Sequence, residues 1–144
     1  MSFWDSSAVI PLCLEEPESG NLRRIARSQG APVVWWASPV EICSALERQR
    51  RLGQLAPGET RMALLALEEL ASAWHEVQPI RSVRGRALRL LAVHSLRAAD
   101  AMQLAAALIW AEEKPVGRAF VCLDARLREA AGREGFTILP ETPM

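Results

Sequence analysis

The hydrophobic residues of this chain form short continuous runs that alternate with longer stretches in which apolar positions recur every three or four residues. The runs cover residues 2–4, 33–37, 119–123 and, with one polar interruption, 136–139. Each has the length of a strand, and a continuous apolar run is typical of a strand buried on both faces of a sheet. Val77 and Ile80 flank Pro79, which predicts one more short segment at a sheet edge, where a missing backbone donor is tolerated.

The stretches with helical spacing predict the helices. One of these stretches begins after residue 5. The others cover about residues 22–30, 38–51, 57–71, 82–94, 98–111 and 125–134. In two of these helices we expect large side chains to be buried, namely Met62, Leu65, Leu67, Leu70 and Ala71 in one, and Leu88, Leu91 and Ala92 in the other. Strands that alternate with helices predict a parallel sheet with right-handed crossovers. The sequence therefore predicts an α/β fold, with helices on both faces of a sheet of four to five strands, as one domain over residues 1–144.

The composition is that of a globular protein without a strong overall field. The chain has 144 residues, half of them hydrophobic, and 17 basic residues balance 17 acidic ones, so net charge alone recruits neither nucleic acid nor a membrane. We expect no leader and no membrane span. Cys13, Cys43 and Cys122 form no CxxC pair and lie in apolar surroundings, which predicts free thiols in a reducing compartment. We therefore expect a soluble, cytoplasmic protein.

Aspartate is rare in this chain, and its positions are the first sign of chemistry. Asp5 and Asp124 each directly follow a predicted strand, and Asp100 opens an almost wholly apolar helix. A carboxylate in such surroundings is costly to bury unless it is paired or opens into a cleft. Glu41 lies just beyond the second predicted strand, in the first turn of a helix. All four acids therefore need a local explanation.

Each acid taken singly has a structural explanation. Asp5 and Asp124 fit helix N-caps. Glu41 fits the second half of a capping box opened by Ser38, and Asp100 fits the positive end of a helix. Together, however, the four acids fall beyond the carboxyl ends of strands, which is where ligands bind in open parallel sheets.

Four converging carboxylates would repel one another strongly unless a divalent cation neutralised them. A set of oxygen ligands selects Mg²⁺ or Mn²⁺, whereas zinc prefers His and Cys. Such an ion suits phosphodiester hydrolysis, because it activates water and stabilises charge on the leaving oxygen. The acids therefore favour a metal-dependent hydrolase.

The four acids lie in four short motifs. These are Trp4-Asp5-Ser6-Ser7-Ala8, Ser38-Pro39-Val40-Glu41, Leu96-Arg97-Ala98-Ala99-Asp100-Ala101 and Leu123-Asp124-Ala125-Arg126-Leu127. In their order and spacing, over nearly the whole chain, they resemble the PIN domain, and most closely the short single-domain VapC toxins of bacterial toxin-antitoxin pairs.

The resemblance implies a three-layer α/β/α PIN-like domain that acts as a Mg²⁺- or Mn²⁺-dependent endoribonuclease. The acidic quartet that binds metal and carries catalysis would be Asp5, Glu41, Asp100 and Asp124. The resemblance also implies RNA as substrate, a cognate antitoxin protein as partner, a homodimer, and Ser6 as a neighbouring hydrogen-bonding residue. Gln103 stands where many relatives have His, and Cys122 where Thr or Ser often precedes the last Asp. We expect both departures to affect substrate handling more than catalysis.

Some alternatives stay open at this stage. Arg97, one turn before Asp100, could contact a scissile phosphate or pair with Asp100. Trp35 and Trp36 are interpreted as core and interface residues, because they lie inside a predicted strand. A non-catalytic binding module with the PIN fold is the alternative function. A phosphatase of the haloacid dehalogenase type is disfavoured, because it needs a second Asp at the position of Ser7.

Overall fold

A computed structural model of the chain, which describes residues 1–141, contains a five-stranded sheet. Its strands are β1 (Ser2–Trp4), β2 (Pro32–Trp35), β3 (His75–Val77), β4 (Ala119–Val121) and β5 (Thr137–Leu139). They are parallel throughout, in the order β3-β2-β1-β4-β5. The predicted parallel sheet is confirmed, and the segment near Val77 is an edge strand. The last residues of the predicted domain, 142–144, lie outside the described part of the chain.

Helices fill the connections between the strands. They are α1 (Ser6–Cys13), α2 (Ser19–Ser28), α3 (Ser38–Arg51), α4 (Pro57–Ala71), α5 (Arg81–Val93), α6 (Ala98–Trp110) and α7 (Ala125–Glu134). Among residues 1–141, none of the helices is long and apolar enough to cross a membrane.

The sheet separates two hydrophobic cores, because successive strand residues point to opposite faces. Phe3 and Phe120 pack on the side of α5, α6 and α7, and their rings stack with centroids 5.4 Å apart. Trp4, Val34 and Val121 pack on the other side, with α1 to α4. The three-layer α/β/α architecture expected from the sequence is therefore confirmed.

The prediction of which helix residues are buried was wrong for α5 and only partly correct for α4, where Leu67 is buried and Leu70 and Ala71 are half-buried, but Leu65 is exposed. In α4, Met62 is 66% exposed, and the buried positions are Thr60, Ala63 and Leu67. In α5, Leu88 is 64% exposed. The buried residues of that helix are Val83, Ala87 and Leu90, whereas Leu91 and Ala92 are exposed. Each inner stripe combines smaller side chains with one leucine, Leu67 in α4 and Leu90 in α5, and the remaining predicted large side chains are left more exposed.

Helix α6 agrees with its prediction as an interior helix. Every residue from Gln103 to Leu108 is buried, as is Ala101. Asp100 lies in its first turn and is half-buried. The buried helix therefore holds Asp100 and Gln103 in fixed positions relative to the centre of the sheet.

Candidate active site

The carboxyl ends of β1, β2 and β4 meet at the edge of the sheet where the four acids were predicted. Asp5 directly follows β1, the central strand, and its backbone N–H donates to Val121 of β4 at 2.9 Å. Asp124 follows β4 by three residues and caps α7. Because β1 and β4 are neighbours, Asp5 and Asp124 start from adjacent strands.

Asp5 is the most deeply placed of the four acids, with 4% of its surface exposed. It is the N-cap of α1, and its Oδ2 accepts hydrogen bonds from the backbone N–H and the hydroxyl of Ser7, at 3.1 and 2.5 Å. Burial raises the pKa of Asp5, and the negative charge of Glu41 adds to that rise, while the hydrogen bonds from Ser7 oppose it. Asp5 is thus a helix cap, and it also lies close enough to Glu41 for the charge of Glu41 to raise its pKa.

Glu41 does not close a capping box, so that expectation is wrong. Helix α3 begins at Ser38, its N-cap is Ala37, and no side chain caps it. Oε1 of Glu41 instead accepts hydrogen bonds from the hydroxyl of Ser6 at 2.9 Å and from the amide of Gln103 at 3.0 Å. The carboxylate is therefore held at the sheet edge by residues of two other helices, and Ser6 is the hydrogen-bonding neighbour that was predicted.

Gln103 is at the centre of this polar network and is 1% exposed. Its amide nitrogen lies 3.1 Å from the hydroxyl of Ser6, 3.0 Å from that of Ser38 and 3.0 Å from Oε1 of Glu41. Its Oε1 is buried and has no hydrogen-bond partner within residues 1–141. The structure therefore gives Gln103 a positioning role for Glu41.

Asp100 and Asp124 face a separate part of the edge, a cleft of about 540 Å³ that is also lined by Arg97 and Arg126. Oδ2 of Asp124 accepts the backbone N–H of Leu127 at 2.9 Å, so this residue too is a helix cap. Burial raises the pKa of Asp100, and the charges of Asp124 and Asp5 raise it further, whereas Arg97 opposes the rise.

Arg97 does not form an ion pair with Asp100. It is the exposed N-cap residue of α6, and among residues 1–141 no carboxylate lies within 4.0 Å of its guanidinium. Pairing with Asp100, one of the two roles left open by the sequence, is therefore not the arrangement in this structure. The guanidinium remains available to a ligand in the cleft.

Cys122 and Ser7 both contact Asp5, and Ser7 was not among the site residues predicted from the sequence. The Cys122 thiol donates to Oδ2 of Asp5 at 3.6 Å, and the Ser7 hydroxyl lies 3.7 Å from its sulfur. Burial raises the pKa of the Cys122 thiol, and the charge of Asp5 raises it further. The thiol is therefore a neutral donor. Cys122 was singled out in the sequence as a departure from the PIN-domain pattern, and it lies one residue beyond the end of β4.

The donor set fits Mg²⁺ or Mn²⁺ in its chemistry, because every charged candidate ligand is a carboxylate. The directions of the pKa shifts also fit a cation. The charge of Glu41 raises the pKa of Asp5, and the charges of Asp124 and Asp5 raise the pKa of Asp100. Among residues 1–141, no three His, Cys, Asp or Glu side chains are grouped closely enough to hold an ion by themselves. An ion at this edge would keep water ligands, as Mg²⁺ commonly does when proteins supply one or two carboxylates.

The fold and the acidic edge define a three-layer α/β/α protein with a carboxylate-rich candidate site at the carboxyl ends of its strands. No protein-family model and no curated protein sequence matches the chain. Solved structures do match. A toxin-antitoxin complex from Klebsiella pneumoniae has 14% identity and a TM-score of 0.63, with all of both chains covered.

Two further structures match to a similar degree. PAE2754 from Pyrobaculum aerophilum has 16% identity and a TM-score of 0.64, with 97% of this chain and 90% of that chain covered. FitAcB from Neisseria gonorrhoeae has 12% identity and a TM-score of 0.62, with 96% of each chain covered. At such low identity the likeness establishes a shared fold over almost the whole length of the chain.

Proposed function

We propose that this chain is a Mg²⁺- or Mn²⁺-dependent endoribonuclease and the toxin of a toxin-antitoxin pair. The observation that carries the proposal is that acids far apart in the sequence lie beyond the carboxyl ends of adjacent strands, with Asp100 and Asp124 lining one cleft. Asp5, Asp100 and Asp124 gather at one sheet edge, where like charge raises the pKa of Asp100. A protein keeps carboxylates together in this way when a cation offsets their repulsion.

In this proposal Asp5, Glu41, Asp100 and Asp124 would bind the ion together with water ligands, some of the carboxylates acting through those waters. When bound, the ion supplies positive charge and lowers the pKa of a water ligand. Both hydrogen bonds to Glu41 go to Oε1, so Oε2 is the oxygen left to orient water or ion. Ser6 and Gln103 fix that orientation before any substrate arrives, which reduces the reorganisation needed for reaction.

The RNA phosphate is assigned to the cleft that contains Asp100 and Asp124. Arg97 and Arg126 line the same cleft, and a guanidinium fork matches the geometry of a phosphate. These arginines bring positive charge to a carboxylate-rich site in a chain with a formal net charge of zero. Affinity for RNA should therefore be local and sensitive to salt.

In this proposal the chain binds a cognate antitoxin protein, forms a homodimer and acts in the cytoplasm. The toxin-antitoxin complex from Klebsiella pneumoniae, which shares the fold along the full length of this chain, supports the antitoxin partner. The resemblance of the four acidic motifs to the VapC toxins supports the same assignment.

Cleavage of RNA in Mn²⁺ or Mg²⁺, compared with EDTA, tests the proposal. We expect Asp5→Asn, Asp100→Asn and Glu41→Gln each to lower the rate by at least about 100-fold. Glu69→Gln, which removes an exposed acid of α4, should leave the rate unchanged. Metal-independent cleavage, or full activity of the Asp5 and Asp100 variants, would refute the proposal.

A non-catalytic binding module is the alternative, and one observation favours it. Asp5 and Asp124 both cap helices, which gives each a structural role without metal. Titration calorimetry separates the two functions. The nuclease should take up Mn²⁺ and lose that uptake in Glu41→Gln, whereas the binding module should show no uptake in either form.

A further inference from the structure

A second concave region lies beyond the carboxyl ends of β2 and β3. It is a pocket of about 500 Å³, within the size range of small-molecule and nucleotide sites. Its lining residues are Trp35, Trp36, Pro79, Ile80, Arg81, Arg84 and Met102. Aromatic, aliphatic and cationic side chains therefore meet in one place.

Trp36 is the exposed aromatic of this pocket. The sequence placed it inside a strand, but β2 ends at Trp35, and the backbone N–H of Trp36 donates to Val77 at 3.0 Å as the chain leaves the sheet. Its side chain is 49% exposed, whereas Trp35 is 4% exposed and packs edge-on against it. Trp35 thus supports an indole that has a free surface.

The positive charges of the pocket are also free to bind. Arg81 and Arg84 are exposed and lie three residues apart in the first turns of α5, which places them on one face of the helix. Among residues 1–141 neither forms a salt bridge. An exposed indole beside two unpaired guanidiniums is the combination that binds an unpaired base together with its phosphates.

The pocket and the acidic network share neighbouring residues of the chain. Trp36 is followed by the N-cap of α3, whose first turn carries Glu41. On α6, Met102 lines the pocket, and the next residue, Gln103, donates to Glu41. The pocket and the Glu41 network are therefore built from the same two parts of the chain, the segment that enters α3 and helix α6.

We propose that this pocket is a base-binding subsite for single-stranded RNA. Trp36 stacks on one unpaired base next to the scissile phosphate, and Arg81 and Arg84 bind the flanking phosphates. The inference rests on the proposed ribonuclease function and adds the part of the substrate that it recognises. In this inference, the residues that distinguish single-stranded from paired RNA are separate from the residues that bind the metal.

Binding is tested without catalysis, in the Asp100→Asn chain with EDTA, by fluorescence anisotropy of a labelled oligo(U) probe. Trp36→Leu should weaken binding by about 5- to 100-fold, because an aliphatic side chain cannot stack, whereas Trp36→Phe should retain most of the affinity. Arg81→Ala and Arg84→Ala should each lower the slope of log K against log salt by about 0.7. Leu88→Ala and Arg89→Ala, on the same helix outside the pocket, are the matched controls.

The subsite is refuted if Trp36→Leu binds the probe as tightly as the parent, or if Leu and Phe at this position have the same effect. It is also refuted if Trp36→Leu impairs binding of a cognate antitoxin while RNA binding is unchanged, because the pocket then belongs to a protein partner.

Cleavage by the otherwise native chain separates this proposal from the nuclease proposal. Trp36→Leu should raise KM and leave kcat within about twofold, whereas Asp5→Asn removes cleavage. Loss of cleavage in Asp5→Asn, together with an unaltered KM in Trp36→Leu, refutes the subsite and leaves the nuclease intact. Binding that depends on Trp36 without metal-dependent cleavage supports the subsite and refutes the nuclease.

Discussion

The amide nitrogen of Gln103 lies 3.0 Å from Oε1 of Glu41, so a residue of the buried helix α6 sets the position of an acid on α3. The same nitrogen lies 3.0 Å from the hydroxyl of Ser38, at the start of α3. One side chain therefore ties two points of α3 to the middle of the molecule. The position of the Glu41 carboxylate is therefore set in part by a neutral side chain.

Replacing Gln103 by Leu should therefore affect stability and activity together. Leu keeps a similar volume but leaves Glu41, Ser6 and Ser38 without their shared donor, which should lower the free energy of unfolding by about 1–3 kcal/mol. Urea denaturation measures the loss. Gln54→Leu, at an exposed position in the turn after α3, should be neutral. A Gln103→Leu chain as stable and as active as the parent would contradict the positioning role.

Asp100→Asn should stabilise the chain while it abolishes the proposed activity. Burial and the charges of Asp124 and Asp5 raise the pKa of Asp100, so its ionised form is unfavourable in the metal-free fold. Removing the charge should add about 0.5 kcal/mol at neutral pH, because solvent screening keeps the repulsion of a half-exposed group small. Thermal denaturation in EDTA measures the gain, and Glu69→Gln should show none. A destabilised Asp100→Asn chain would contradict the repulsion.

The stability of the metal-free chain should fall as pH rises above about 4, through the raised pKa values of Asp5 and Asp100. An acid whose pKa is raised by folding binds more protons in the native state, so its contribution is full at low pH and is lost on ionisation. Saturating Mn²⁺ should remove this fall, because the ion binds the ionised form. Melting temperatures across pH, with and without Mn²⁺, test this expectation. Superimposable curves would count against the metal site.

Arg86 should be a structural residue far from the proposed chemistry. Its guanidinium contacts Glu113 at 3.0 Å and Glu134 at 3.3 Å, and Glu134 also contacts His94 at 2.6 Å. Arg86→Met leaves half-buried Glu134 with one cationic partner fewer, and should lower the free energy of unfolding by about 1–3 kcal/mol. Arg89→Met, an exposed position on the same helix, is the control. RNA cleavage at a temperature where both variants are folded should be unaffected.

Gly135 should not tolerate a side chain. Its φ is 114°, and a Cβ there would lie 3.1 Å from Cγ of Pro115, so Gly135→Ala combines backbone strain with crowding. We expect a loss of about 1–3 kcal/mol in unfolding free energy. Gly20→Ala, in the first turn of α2 with open space around it, should be neutral or stabilising by up to about 1 kcal/mol. Equal effects of the two substitutions would contradict this account.

The positions of the acids were predictable because a parallel sheet has simple geometry. Asp5 and Asp124 follow apolar strands, and parallel strands place their carboxyl ends at one edge, so no knowledge of side-chain packing was needed. Asp100 stood out because it interrupts an apolar helix. The coarse fold followed from the same alternation of strand-length runs and helical spacing.

Other features depended on packing that a one-dimensional pattern does not contain. In α5, the spacing of Leu88 and Leu91 competes with that of Ala87 and Leu90, and only contact with α6 decides which stripe is buried. The Ser38-to-Glu41 spacing fits a capping box, but Gln103, 62 residues further along, draws Glu41 into another hydrogen bond. The sequence alone therefore does not predict the role of a residue whose hydrogen-bond or packing partner is distant in the chain.

The central position of β1 has a consequence for synthesis of the chain. Ser2 pairs with Pro32 on one side and with Ala119 on the other, so the middle of the sheet stays open until most of the polypeptide exists. Contacts this far apart in sequence form late. A ribosome-bound chain that has exposed Asp5 and Glu41 still lacks Asp124, and a prematurely terminated one never gains it. The four acids can therefore come together only after β4 and Asp124 have been made.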